Sequence, residues 1–331
     1  MTRYLPLILA AGLAVLVLVA GCTTQPAGSA TASPGVHATT EKNMAPVHTP
    51  APAEKTTVPI AAQTIVKQLP PTQTTLPRIS VPEGYIAQYY TYTLNGKSDI
   101  IPLALSTKVY QDYTKKDSPS IHNGNSSYFL GYVNDPEQQP YIAALAKAIQ
   151  EKTPVKDDQA RIAISLVQHI PYHDGTQYRY PYEVLYNGKG VCGEKSMLLA
   201  LLLKELGFGA SVFYLLPEDH MTAGIKVSSP YDFRNSGYAF IEATEPYIIT
   251  DSVTDALAAY KFTSTMEVTP VGTGQALQSI ANDYNDAREW AALEAKGKTL
   301  ATADYAAWQA LNTKYDLRYY TCEKCPIPSI A

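Results

Sequence analysis

Cys192 lies in the most chemically suggestive stretch of this sequence, "GKGVCGEKSMLLALLLKELGFGA", which starts at Gly188. The apolar residues that follow it recur at helical spacing and stop at Gly207, so the sequence predicts a helix from Cys192 to Leu206. At a helix N-terminus, the helix dipole stabilises negative charge on a thiol and backbone N–H groups can receive an oxyanion. The cysteine is therefore either a nucleophile or a small apolar residue that begins a core helix.

The other three cysteines have explanations of their own. Cys22 ends the apolar N-terminal run, where the "VAGC" sequence suggests lipid attachment. Cys322 and Cys325 form "CEKC", a spacing that favours a small local disulfide outside the cytoplasm. A zinc site needs about four ligands, and neither a second CxxC nor paired histidines stand nearby, so we expect no metal. Cys192 is left unpaired, which favours a chemical role.

The N-terminal residues predict export. Residues 1–22 carry one positive charge before a long apolar run that ends in small residues, the layout of a signal peptide, and the ending resembles the lipobox of prokaryotic lipoproteins. An uncleaved anchor helix is the alternative, because the run approaches the roughly 20 residues that cross a bilayer. Residues 23–78 are rich in Pro, Thr and Ala and predict a disordered stalk. Both interpretations place the protein on the extracytoplasmic side of a membrane.

Residues 79–260 predict a folded α+β domain, followed by a helical C-terminal extension, 261–331, that carries the CxxC. The domain begins with strands around the hairpin dipeptide Asn95-Gly96, and residues 126–135 suggest another short extended segment. Two helices precede the cysteine helix, and consecutive strands follow it, which favours a mixed fold over a doubly wound sheet. The net charge of −4 argues against a nucleic-acid partner.

His220 is the best placed histidine for a general base. It opens the predicted strand "HMTAGIKV", whose alternate residues are apolar, so His220 points away from that apolar face. His169 and His173 flank "IPY" before the cysteine helix and suggest loop or surface positions. His122 lies in a polar stretch, and the remaining histidines fall in the stalk.

These segments together resemble the transglutaminase-like superfamily. The resemblance rests on the cysteine block, on "DHMTAGIKV" and on "YAFIEATEP", with a lead-in at "AISLVQHIPYHDG", and covers roughly residues 155–255. It implies a papain-like fold in which the cysteine helix packs on an antiparallel sheet. It also implies a triad in the order Cys192 as nucleophile, His220 as base and acid, and Glu242 as the orienting acid, with Thr244 at the family's threonine position.

The orienting acid has alternatives, and the sequence departs from the family pattern twice. If the two strands around the loop 228–237 pair symmetrically, His220 lies opposite Glu245 and Glu242 faces away; a slip of one residue reverses the choice. Asp251 is a third candidate. The departures are Thr222, where the family often has an aromatic residue, and a glutamate where aspartate is commoner.

The resemblance implies acyl transfer through a thioester without a cofactor. Hydrolysis of peptide or isopeptide bonds is the first expectation and amine cross-linking of protein glutamines the second, with a peptide or protein substrate from the cell wall or cell surface. A non-catalytic binding module on the same fold is the alternative. The backbone N–H of Cys192 would stabilise the oxyanion, with Gln168 and Tyr172 as candidates for a second donor.

Overall fold

The computed structural model describes residues 76–119, 128–173, 178–252, 266–317 and 329–330. The predicted signal segment, almost all of the stalk, His122 and the "CEKC" pair lie outside these residues. Within them, no helix combines the length and the apolar character needed to cross a membrane.

The folded chain opens with a hairpin that packs on helices. Strands β1 (Tyr85–Leu94) and β2 (Lys97–Ser106) are antiparallel and joined by Asn95-Gly96. Both turn residues have positive φ, 50° and 76°, as the two-residue turn requires. The predicted hairpin is confirmed.

Helices fill the region between the hairpin and the second sheet. They are α1 (Thr107–Tyr113), α2 (Phe129–Val133), α3 (Gln139–Lys152), α4 (Lys156–Gln168), α5 (Pro181–Asn187) and α6 (Cys192–Glu205). The prediction of an extended segment at 126–135 is wrong where the structure describes it, because α2 buries Phe129, Tyr132 and Val133 at helical spacing. Helix α6 is buried on nearly all sides, and Gly207, with φ of 91°, follows its end.

The second sheet carries the histidine. Its strands are β3 (Gly209–Leu215), β4 (His220–Lys226), β5 (Tyr238–Ile241) and β6 (Met266–Thr273), in the antiparallel order β5-β4-β3-β6. Helix α6 packs on β3, β4 and β6. The sheet therefore continues past residue 260, the end predicted for the domain. A cysteine helix on an antiparallel sheet confirms the predicted α+β fold.

Two helices at the C-terminal side form a second small core. Helices α7 (Ile280–Glu294) and α8 (Thr302–Tyr315) lie in the segment 261–331 that was predicted to be helical, and Trp290 stacks on Trp308 with ring centroids 6.0 Å apart. Strand β7 (Thr299–Leu300) precedes α8 and pairs in parallel with β8 (Ser329–Ile330).

Candidate active site

Cys192 is the first residue of α6, and its thiol is free and half-buried. The carboxylate of Glu194 accepts a hydrogen bond from the Val191 N–H (3.0 Å) and so caps the helix directly beside the cysteine. Gly193 leaves room for a close approach: a Cβ there would lie 2.5 Å from the ring of Tyr178 and 2.7 Å from the sulfur of Met221. The Cys192 sulfur is thus held at a helix N-terminus, next to the glycine that packs against the Tyr178 ring.

An ion pair fixes the segment that precedes α5 to the start of the cysteine helix. Glu194, 1% exposed, bonds the Arg179 guanidinium at 2.8 Å and 2.9 Å and accepts a further hydrogen bond from the Arg179 N–H. The sequence analysis missed this pair. The glutamate at the third position of the helix is a capping signal that predicts its bond to Val191, but it does not indicate Arg179 as a partner.

His220 lies at the start of β4, where it can reach both other candidate residues. Its Nε2 lies 2.8 Å from Oε2 of Glu242, and its side chain also hydrogen bonds the side chain of Cys192. With Nε2 engaged by the carboxylate, Nδ1 is the ring nitrogen left for the sulfur. The structure thus brings Cys192, His220 and Glu242 together in one chain of contacts.

The strand register explains why Glu242 faces His220. Lys226 pairs with Tyr238 and Ala223 with Ile241, one residue out of the symmetric register considered above. Continued by one residue, this register sets Glu242 opposite Thr222, on the same face as His220. Glu245, by contrast, accepts a hydrogen bond from the Tyr247 hydroxyl at 2.8 Å, and Asp251 lies buried further along the chain.

The Glu242 carboxylate is fully buried and hydrogen bonded through both oxygens. Oε2 meets His220, while Oε1 accepts from the backbone N–H (2.9 Å) and the hydroxyl (2.7 Å) of Thr244. Thr222, at the position where the family often has an aromatic residue, donates its hydroxyl to the carbonyl of Ile241 and ties β4 to β5 next to the acid.

These contacts favour the charged forms of the acid and the imidazole. Burial alone would lower the pKa of His220, but its hydrogen bonds to Cys192 and Glu242 outweigh burial and raise the pKa to about 10. Burial alone would raise the pKa of the Glu242 carboxyl, but the hydrogen bonds from His220 and Thr244 lower it below its ordinary value. At neutral pH the site therefore holds an imidazolium between the sulfur and a carboxylate.

Of the two side chains considered for the oxyanion site, Gln168 bonds other acceptors, and a role for Tyr172 stays a prediction. Gln168 is buried, and its amide nitrogen donates to the backbone oxygens of Glu242 (2.8 Å) and Tyr247 (3.0 Å). Tyr172 is 54% exposed, in a bridge to Gly190. The N–H groups at the start of α6 remain the donors best placed for an oxyanion, since the first turn of a helix has no carbonyl of its own for them.

Aromatic rings form one wall beside the cysteine, and the sequence analysis did not identify it. Phe129 contacts Tyr178 and Tyr214 edge-on, with ring centroids 6.2 Å and 6.1 Å apart. Burial raises the pKa of both tyrosines, and the nearby Cys192 contributes to each shift. The hydroxyl of Tyr214 donates to Asp219 at 3.0 Å.

Two further histidines, His169 and His173, lie within the described residues. His169 is 3% exposed, so the expectation of a loop or surface position is wrong; it bonds Asp316 at 2.9 Å. His173 is partly exposed, and its backbone N–H donates to Gly190. Among the described residues, no group of three or more His, Cys, Asp or Glu side chains is arranged to hold a metal ion.

Comparison with known proteins identifies the domain that holds these residues. Residues 143–244, less than half of the chain, match the model of the transglutaminase-like superfamily, and this range contains Cys192, His220 and Glu242. No curated protein matches the chain. A solved structure described as "a Putative Cysteine Protease from Cytophaga hutchinsonii" is similar at 12% identity and a TM-score of 0.26. That similarity covers 53% of this chain and 65% of the other, slightly under two thirds of its length.

Proposed function

We propose that the transglutaminase-like domain at residues 143–244 is a cysteine acyl-transfer enzyme that hydrolyses peptide or isopeptide bonds. The observation that carries this proposal is the chain of contacts from Cys192 through His220 to Glu242. A cysteine nucleophile needs an adjacent base and a group that orients the base. The roles of the three residues follow from these contacts.

In the first half of the reaction, the sulfur of Cys192 attacks the carbonyl carbon of an amide, and the carbonyl π electrons move onto oxygen. The N–H groups at the N-terminus of α6 stabilise that oxyanion. As the tetrahedral intermediate collapses, the C–N bond breaks and His220 donates its proton to the leaving amine. The products of this half are a free amine and a thioester on Cys192.

In the second half, His220 takes a proton from water, and the oxygen of that water attacks the thioester carbon. The C–S bond breaks, the carboxylic acid leaves, and the proton on His220 again accompanies the Cys192 sulfur. Glu242 accepts a hydrogen bond from the imidazole throughout and holds the ring in orientation. An amine in place of water would give transamidation by the same steps.

The proposed location is the outer face of a membrane. The support is the sequence of residues 1–22, with its apolar run and "VAGC" ending, and the stalk composition of 23–78. A peptide or protein of the cell wall or cell surface is the substrate that suits such a location.

The test measures the reactivity of the thiol before any substrate is known. The full chain is treated with iodoacetamide at pH 7, and the labelling of Cys192 is followed by peptide mass spectrometry. We expect Cys192 to react at least about tenfold faster than in the urea-unfolded chain, because the folded chain holds His220 beside the sulfur as an adjacent base and unfolding removes it. Equal rates in the two states would contradict the proposal.

A second stage identifies the reaction. Cell-wall peptides and denatured casein are incubated with the chain, with and without a fluorescent primary amine. Hydrolysis yields new carboxyl termini, whereas transamidation incorporates the amine, and Cys192→Ala abolishes both while its circular dichroism spectrum matches the wild type. Product formation that persists in Cys192→Ala would contradict the assignment of the nucleophile.

A further inference from the structure

Lys195 is the most deeply buried cation near the triad. It lies on α6 three residues after Cys192, and its side chain is fully buried. Its ammonium donates to three backbone carbonyl oxygens, those of Ile170 (2.5 Å), Thr244 (2.6 Å) and Gln168 (3.2 Å). Burial of an ammonium is costly unless such hydrogen bonds replace its water.

The three carbonyls come from the two segments that flank the acid. Gln168 and Ile170 are the end of α4 and the turn after it, and Thr244 is the residue whose N–H and hydroxyl hold Oε1 of Glu242. The Gln168 side chain connects the two segments directly, because its amide nitrogen donates a hydrogen bond to the backbone carbonyl of Glu242. One ammonium on the cysteine helix therefore joins the nucleophile's helix to the segment that presents the acid.

We propose that Lys195 is a positioning residue that sets the place of the Glu242 carboxylate relative to His220 and Cys192. This inference rests on the proposed function. Charge-assisted hydrogen bonds are shorter and stronger than neutral ones, so the bond to Thr244 ties the segment of the acid to α6, and the bonds to Gln168 and Ile170 tie the end of α4 to the same ammonium. Without them, the segment relaxes, the contact between Glu242 and His220 lengthens, and the imidazolium loses stabilisation.

The readout reports the charge on His220 without a substrate. Iodoacetate is an anion and iodoacetamide is neutral, so the ratio of their rates at Cys192 rises when the neighbouring imidazole is protonated. In the wild-type full chain we expect this ratio to stay high through neutral pH and to fall only on the alkaline side. Glu242→Gln marks the profile that results when the acid is lost.

Lys195→Met keeps the length of the side chain and removes the charge. We expect the midpoint of its ratio profile to move toward that of Glu242→Gln by about one pH unit, with a several-fold slower alkylation at pH 7. Arg161→Met is the matched control. Arg161, seven residues before Gln168 on α4, forms an ion pair with the buried Asp283 (2.7 Å), so we expect its loss to lower stability and to leave the wild-type profile in place.

The outcomes separate the two proposals. If wild-type Cys192 reacts no faster than in the unfolded chain, the proposed function fails, whatever Lys195 does. If the wild type is reactive and folded Lys195→Met keeps its profile, the positioning role is overturned. Should Lys195→Met not fold, Lys195→Gln, which keeps two N–H donors without the charge, gives the same readout. If neither variant folds, Lys195 is a requirement of the fold, and the proposal is overturned.

Discussion

Two buried histidines in this protein bond a carboxylate at nearly the same distance, in two different settings. Nε2 of His220 lies 2.8 Å from Glu242, and Nε2 of His169 lies 2.9 Å from Asp316. The difference is at the other ring nitrogen. In His169 this nitrogen lies 2.6 Å from the carbonyl oxygen of Ser165, whereas His220 faces the thiol of Cys192.

The carboxylates differ as well. The Glu242 side chain is fully buried, with both oxygens bonded, while that of Asp316 is 22% exposed and accepts a second hydrogen bond from the Thr93 hydroxyl (3.3 Å). The His169 pair thus ties α4 to β1 and to the end of α8. A histidine in contact with a carboxylate is therefore not enough to form a catalytic site. The imidazole can transfer a proton to a reacting group only where its second ring nitrogen faces a nucleophile, as in His220, and not where it faces a backbone carbonyl, as in His169.

The largest expected difference between the two pairs comes from replacing each histidine. His220→Gln should slow the alkylation of Cys192 at pH 7 by tenfold or more and any amide turnover by about 10³-fold, because the base and acid is lost. His169→Gln should leave both rates within about twofold and lower the free energy of unfolding by about 1–3 kcal/mol through unsatisfied buried groups. Alkylation kinetics and urea denaturation measure the two effects. Equal loss of reactivity in both variants would remove the distinction.

A smaller expected effect is the pH dependence that His220 gives to the free energy of unfolding. The pKa of His220 is raised to about 10, so its contribution to stability is complete below the ordinary value near 6.5 and is lost as the pH rises toward 10. We expect the free energy of unfolding of the wild type to fall across this window.

Replacing each acid isolates the contribution of His220. Glu242→Gln should flatten the decline between pH 6.5 and pH 10 by about 1–3 kcal/mol, whereas Asp316→Asn should keep it, since the site around His220 is intact in that variant. Urea denaturation at pH 6, 8 and 10 measures the slopes. The assignment fails if the two variants flatten the decline equally.

The structure brings together three residues that the sequence had suggested, but their signals differ. A cysteine between glycines at a helix start and a histidine that opens an alternating strand are readable from spacing, whereas Glu242 was favoured over Glu245 and Asp251 only by the family resemblance. The register was not readable. Symmetric pairing around the loop 228–237 would place Val227 opposite Tyr238, but Lys226 takes that place, and the loop contains Arg234 and Asn235 at positive φ.

Features that depend on distant parts of the chain could not be predicted. Strand β6 pairs with β3 across more than fifty residues of sequence, and no local sequence pattern predicted that this strand would join the sheet. The burial of His169 depends on Asp316, 147 residues later. Lys195 is one charged residue near the start of an apolar helix in the sequence, and only the fold brings three carbonyl oxygens to it.

The smallest effect concerns the hydroxyl groups that support the two acids. Thr244→Val removes the 2.7 Å hydrogen bond to Oε1 of Glu242 but leaves the backbone N–H at 2.9 Å, so the carboxylate keeps a donor. We expect a three- to tenfold loss of Cys192 reactivity or turnover, since a charged hydrogen bond is worth about 1.5–3 kcal/mol and is only partly replaced.

Thr93→Val is the matched change at the second pair, where the Thr93 hydroxyl contacts Asp316 and its backbone N–H donates to Ser165. It should leave the chemistry of Cys192 unchanged. If Thr244→Val also leaves the rates unchanged, the backbone N–H alone holds Glu242, and the threonine serves the fold rather than the acid. A loss shared by both variants would mean that the two histidine sites are coupled through α4, because Ser165 and Gln168 belong to that one helix.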